Sequence, residues 1–267
     1  MISNLAYVNP QAKIGENVTI EPFAFIDADV EIGAGTWIGS GAVIRNGARI
    51  GCDCKIHPTA VIAGEPQDLK FKGEYSTAVI GDRTVIRECV TISRGTAAKG
   101  TTIVGSDCLI MACAHVAHDC VVGNHVILVN GVLLAGEVEV GDWAILGGQT
   151  AVHQFSKIGA HAMTGGGSLI NKDIPAFVKA GHLPISFVGI NFIGLRRRGF
   201  SSEKIAEIQD IYRIIFQSGM IYSKACDVVE QTIPQSPERD EILNFIRTSK
   251  RGILKPYNSR RNSEDLD

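Results

Sequence analysis

What this sequence of 267 residues lacks narrows its class before any motif is read. It has no surplus of one charge. Lys and Arg number 26 against 28 Asp and Glu, and the net charge of −2 removes any general electrostatic case for nucleic acid. It has no apolar run near the ~20 residues of a membrane span, so a soluble protein with no membrane span is expected. It has no signal peptide and an odd number of cysteines, seven. A disulfide framework is therefore not expected, and a reducing cytoplasm is. As far along as Ile170 it also lacks both the period of a helix and the simple alternation of an amphipathic strand.

What it has instead is a period of six. An aliphatic residue returns at Ile14, Ile20, Ile26, Ile32, Ile38, Ile44, Ile50, Ile56 and Ile62, then at Ile80, Ile86 and Ile92. The series resumes at Val104 and runs through Ile110, Val116, Val122, Leu128, Leu134, Val140, Leu146, Val152 and Ile158 to Ile170, with Thr164 as an exception. Two positions before the later anchors sits a small or β-branched residue, Cys108, Ala114 and Cys120 among them. Cys54, Cys108 and Cys120 share this inward position, which marks them as buried thiols. Period six is the signature of a parallel β-helix, whose repeats cannot bury an apolar face singly. Positions i−2 and i point inward as on a strand, and i+2 and i+3 turn a corner. Three hexads close one coil, and roughly nine coils at ~4.8 Å each give a prism ~45 Å long.

The lattice fails over 63–79 and again, more briefly, over 95–101, returning both times in phase. Both segments are loops thrown out from a corner, and solenoids place functional insertions on one face. The richest segment is Met111–Cys120, MACAHVAHDC. Here His115 points outward from a strand, while His118 and Asp119 occupy a corner as exposed polar residues. Steps of one coil from His118 reach Gly136 and then Gln154, with Glu137 and His153 beside them. One corner is thus lined by a base, a closely approachable backbone N–H and an amide. Acyl transfer to an alcohol needs a general base and donors for an oxyanion. Beyond Ile170 the period becomes helical. Ser201 or Ser202 caps a predicted helix closed by Gly219, a second covers 222–232, and a third starts with Ser236 as cap and Pro237 in its first turn. The organisation expected is a β-helix over 1–175, a helical domain over 190–255 and a disordered tail over 256–267.

Several segments occur in one order: Glu65–Lys70 (EPQDLK), Ser93–Thr96 (SRGT), Ala114–Cys120, Gly147–Phe155 (GGQTAVHQF) and Gly194–Phe200 (GLRRRGF). In this the chain resembles the hexapeptide-repeat UDP-N-acetylglucosamine O-acyltransferases of lipid A biosynthesis, over everything but the tail. The resemblance implies a left-handed, three-sided β-helix, an exception to right-handed crossovers, followed by a small helical domain. It implies transfer of a 3-hydroxyacyl group from acyl carrier protein to the 3-hydroxyl of UDP-N-acetylglucosamine in a homotrimer with sites between subunits. No metal and no bound cofactor is implied. By the same resemblance His118 is the general base, Asp119 orients it and the Gly136 N–H binds the oxyanion. Gln67, Asp68 and Lys70 hold the sugar together with His115, His153 and Gln154. Asn191, Arg197 and Arg198 contact the nucleotide, its diphosphate or the carrier's pantetheine region, and Gly166 stands at the position that measures the acyl tail, where a glycine leaves the groove open to a long chain. Two departures bear on the sugar nucleotide: Glu137 stands where the family often has a histidine, and Ile193 where it usually has an acid. Two other activities use similar folds. One is a zinc hydratase of the carbonic anhydrase kind, which would draft His115, His118 and His153 as ligands. The other is an N-acyltransferase acting on an amino sugar nucleotide.

Overall fold

The computed structural model describes residues 1–257. Of the tail expected to be disordered, residues 258–267 lie outside the described residues.

The hexads form strands of two to four residues, and every third strand stacks into one of three parallel sheets. The first face runs from Tyr7–Val8 to Leu169–Ile170, the second from Lys13–Ile14 to Lys157–Ile158, and the third from Thr19–Ile20 to Met163–Thr164 and onward. This is the left-handed parallel β-helix. Register repeats once per coil, as in Ile14 opposite Ile32 and Val116 opposite Leu134. The anchors are sealed: Ile26, Ile38, Ile44, Ile56, Ile110 and Leu146 have no exposed surface. Each contributes ~1.5–3 kcal/mol by leaving water, but only when coils above and below cover it. Cys54, Cys108 and Cys120 lie in this core as free thiols. Thr164 breaks the aliphatic series without breaking the packing, because its Oγ1 accepts the Gly147 amide at 3.1 Å.

Both insertions are whole multiples of the repeat. Across the first, Val61 faces Thr91 rather than Val79, so two hexads of chain leave the prism. Across the second, Ile92 faces Val116 rather than Ile110, so a single hexad leaves. Each departs from the corner joining the first face to the second, the corner that carries His118.

The prism does not stop cleanly at the expected edge. Val178–Gly181 still pairs in parallel with Met163–Thr164 on the third face, then turns back antiparallel into Ser186–Ile190. Four helices follow: α1 (Phe192–Arg197), α2 (Ser202–Gln217), α3 (Tyr222–Thr232) and α4 (Pro237–Thr248). Ser201 and Ser236 accept amides of the first turns of α2 and α4 as side-chain caps, as the sequence predicts. Helix α2 is the hub. Its Ile205, Ile208, Ile211 and Ile215 are buried, and the fully buried Tyr212 donates its hydroxyl to the Ala176 carbonyl at 2.5 Å. No helix among the described residues is long and apolar enough to cross a membrane.

Candidate active site

The column predicted by steps of one coil is present. The Glu137 amide bonds the His118 carbonyl at 3.0 Å and the Phe155 amide bonds the Gly136 carbonyl at 3.2 Å, stacking the corners of His118, Gly136 and Gln154. The exposure expected of His118 and Asp119 is not found. His118 is 7% exposed and Asp119 wholly buried, because the two insertions fold over their corner. This corrects the sequence reading.

Asp119 sits at φ +60°, a left-handed conformation that aspartate tolerates better than most residues. Its carboxylate is surrounded by donors. Oδ1 accepts the amides of Thr96 (3.0 Å) and Lys99 (3.2 Å), and Oδ2 accepts the Thr96 hydroxyl (2.6 Å) and His118 Nδ1 (2.9 Å). Burial by itself would raise its pKa. The bonds from Thr96 and His118 oppose that, and the net shift is downward. A buried carboxylate so held keeps the His118 proton on Nδ1 and leaves Nε2 as the free base nitrogen.

Gly136 lies against the other side of that ring. A Cβ added there would come within 2.5 Å of His118 Cε1 and Nε2, so only glycine lets the corner stack so closely. Among the described residues its amide N–H has no acceptor, and it remains free to donate beside the His118 ring. Asp68, from the first insertion, brings Oδ2 to 3.9 Å from Nε2, too far to bond it directly. Its Oδ1 accepts the Lys70 amide at 3.0 Å, which shapes the loop. Gln67 and Lys70 beside it are exposed. His115 Nδ1 bonds the Thr91 hydroxyl at 2.7 Å, and burial lowers its pKa. Glu137 is half-buried and follows Gly136 at φ +60°. His153 is exposed, with Nδ1 on the Gln154 carbonyl at 3.0 Å, and that carbonyl also accepts from Arg251 at 3.3 Å.

The remaining expected residues lie elsewhere on the chain. Asn191 is buried and works as a cap, its Oδ1 accepting the Gly194 amide at 3.2 Å and its Nδ2 donating to the His161 carbonyl at 2.9 Å. Arg198 lays its guanidinium over Trp143, 5.4 Å from the ring centroid, with one nitrogen 3.4 Å from His161 Nδ1. Burial, then the Arg198 charge, push His161 down to about 4. These residues belong to the corner joining the second face to the third, while Arg197 stands exposed on α1. Gly166 is on the third corner, before Leu169 re-enters the first face. Between Gly166 and the base that face presents Leu133 and Leu169, about half exposed, on either side of Ala151. Sequence reasoning missed Thr96 and Lys99 as partners of Asp119. Their signals were the lattice break over 95–101 and, for Thr96, the SRGT motif.

A stacked-coil prism holding a histidine–aspartate pair beside a free amide fits the hexapeptide transferases, and the six-repeat bacterial transferase hexapeptide family matches residues 29–64 and 101–136. Domain 2 of UDP-N-acetylglucosamine O-acyltransferase matches residues 173–254. The acyl-[acyl-carrier-protein]–UDP-N-acetylglucosamine O-acyltransferase of Stutzerimonas stutzeri is 43% identical over 256 residues, 96% of this chain and 99% of that protein. Its counterpart in Pseudomonas entomophila is 44% identical over 94% and 97%. Among solved structures, a UDP-N-acetylglucosamine acyltransferase from Bacteroides fragilis is 53% identical with a TM-score of 0.94, over 96% of this chain and all of that one. The enzyme from Francisella novicida is 38% identical, also at 0.94, over 97% and 96%. The chain belongs to the UDP-N-acetylglucosamine O-acyltransferase family.

Proposed function

We propose that this chain transfers a 3-hydroxyacyl group from acyl carrier protein to the 3-hydroxyl of UDP-N-acetylglucosamine in the cytoplasm, the first step of lipid A biosynthesis. The observation that carries the reading is the seating of one imidazole. His118 is gripped at Nδ1 by a buried carboxylate and lies against Gly136, whose N–H is unpaired among the described residues.

Nε2 takes the proton of the sugar hydroxyl as its oxygen attacks the thioester carbonyl. The carbonyl oxygen becomes an oxyanion and accepts from the Gly136 N–H. Collapse breaks the carbon–sulfur bond, and the departing thiolate takes the proton back from the imidazolium. With Nε2 and the Asp68 carboxylate 3.9 Å apart, one hydroxyl oxygen placed to the side of the line between them, ~2.8 Å from each, can bond both. Gln67, Lys70, His115, Glu137, His153 and Gln154 border the same corner and would hold the sugar.

Asn191, Arg197 and Arg198 cannot join His118 around one sugar nucleotide within one chain, because they sit at a different corner. We infer a homotrimer in which one protomer's His118 corner faces the basic corner of its neighbour. There Arg197, with a planar fork suited to diphosphate, would meet the nucleotide. In this reading 1–175 and 190–255 are two units of one subunit, the second supplying its neighbour's site. Incubating the protein with UDP-N-acetylglucosamine and a ladder of 3-hydroxyacyl carrier proteins tests the activity directly. A product heavier by one 3-hydroxyacyl group supports it. Hydration of carbon dioxide with no acyl product, or acylation only of an amine, would overturn it.

A further inference from the structure

We propose that Thr96 is a positioning residue for acyl transfer: through Asp119 it fixes the aim of His118. The proposal rests on the reading of His118 as the base and adds to it the second insertion, which the prism itself does not need. Asp119 lies where no water reaches, so every lone pair of its carboxylate must find a donor in the protein. Backbone amides fill Oδ1. On Oδ2 the His118 ring has one competitor, the Thr96 hydroxyl, at 2.6 Å. That bond sets where Oδ2 stands, and Oδ2 sets where Nδ1 points.

Thr96 is itself held. Its Oγ1 accepts the Ala98 amide at 3.2 Å while donating to Asp119, so the hydroxyl proton has one direction. Its carbonyl accepts the Gly100 amide at 2.7 Å, closing the turn. The residue before it must be Gly95, where a Cβ would lie 2.2 Å from the Thr101 nitrogen. From outside, Glu74 of the first insertion takes the Ala97 amide at 2.9 Å. The second insertion is thus pinned on one side to the loop that carries Asp68 and on the other to the carboxylate. β-Branching stiffens the threonine side chain and suits it to this post. The other ionisable groups around Asp119 are few. The Cys120 thiol is pushed up to about 12 by burial, and Lys99 reaches away toward Glu139 at 3.9 Å.

The experiment compares Thr96→Val, Thr96→Ser, Asp119→Asn and Thr96→Val/Asp119→Asn in the full chain, by steady-state kinetics over a pH series with melting curves for each. Thr96→Val, equal in shape, should lower kcat on the order of tenfold, the worth of one charge-assisted hydrogen bond. KM for the sugar nucleotide should stay within about twofold. The acid limb of the pH profile should move to higher pH, because a carboxylate with fewer donors takes a proton more readily. Thr96→Ser should restore most of kcat. The double variant should be no slower than Asp119→Asn, since Thr96 acts through that carboxylate. Wild-type kcat and pH profile in Thr96→Val beside an impaired Asp119→Asn would overturn the proposal and leave the base in place. So would losses that multiply in the double variant, the mark of a merely structural role. An unimpaired Asp119→Asn would overturn the base assignment as well.

Discussion

Replacing Gly136 with alanine probes the seating of the base at a single methyl group. The backbone tolerates the change, because Gly136 is not among the glycines at positive φ. The added Cβ, however, would stand 2.5 Å from both Cε1 and Nε2 of His118, where ordinary contact begins at 3.4 Å. The ring must retreat by about 0.9 Å, the difference of those two distances. It has little room to do so, being 7% exposed and tied to Asp119 at 2.9 Å. Leaving its rotamer costs ~0.5–1.5 kcal/mol and weakening a charge-assisted bond up to ~1.5–3 kcal/mol, so the fold should lose a few kcal/mol at most and persist. Catalysis should suffer far more, since a misplacement of ~1 Å in a reacting group costs ~10²-fold. The assay is release of the carrier's free thiol at saturating substrates, beside a melting curve. We expect kcat about a hundredfold lower with KM for the sugar nucleotide within about threefold. A folded Gly136→Ala enzyme with wild-type kcat would refute the argument that contact with Gly136 places the ring.

Other perturbations probe the rest of the site. His118→Ala should cut turnover by roughly 10²–10⁴ in initial-rate assays with the fold intact, and Asp119→Asn by less. Mixing His118→Ala with Arg197→Ala subunits should restore activity by pairing an intact base corner with an intact basic one. If such mixed trimers, verified by mass, stay inactive, the shared cleft is wrong. Gly166→Met should shift preference toward shorter 3-hydroxyacyl carriers in direct competition. A Cβ at Gly166 meets only the Gly148 backbone, at 3.3 Å or more, so the longer side chain is accommodated and blocks the tail rather than the fold. Salt should raise the apparent KM for the acidic carrier more than for the sugar nucleotide, through exposed Arg197 and Lys179; Arg213, paired with Asp210 at 2.9 Å, should matter less. His161 is held neutral in the fold at about 4 against an ordinary 6.5. Its stabilising contribution is therefore full above about 6.5 and lost as pH falls through about 4. Melting curves of His161→Phe should accordingly fall less steeply over that interval.

The prism was legible in the sequence because its rule is short-range: one aliphatic anchor every six residues, repeated until chance cannot explain it. The His118–Gly136–Gln154 column followed from the same arithmetic. What counting could not reach is whatever leaves the lattice. Thr96 and Lys99 meet Asp119 only because the insertion doubles back over the corner, and no period encodes a loop's return path. The burial of His118 is hidden for the same reason. Helix α1 and the hairpin before it are too short to show a period, although Asn191 three residues ahead of Gly194 is an ordinary cap signal. That capping role, in turn, came from geometry that the basic run Arg196–Arg198 gave no hint of.

The position three residues past an anchor adopts the left-handed backbone along most of the prism, and glycine fills only a minority of these sites. Asn17, Phe23, Arg83, Cys113, Asp119, His125, Glu137, Trp143, Gln149 and His161 all accept it. Outside a stack each would relax at a gain of about 1 kcal/mol or more. Within it, the neighbouring coils hold the chain at that angle whatever side chain it bears. Such a corner is indifferent to the chemistry mounted on it, so the side chain there can be exchanged from coil to coil without redesigning the turn. That latitude explains how a ladder of His125, Trp143, His161 and Phe177 rings arises along one edge while the aspartate that grips His118 occupies the equivalent place on another. Lineages built on such a scaffold can change their reactions one rung at a time.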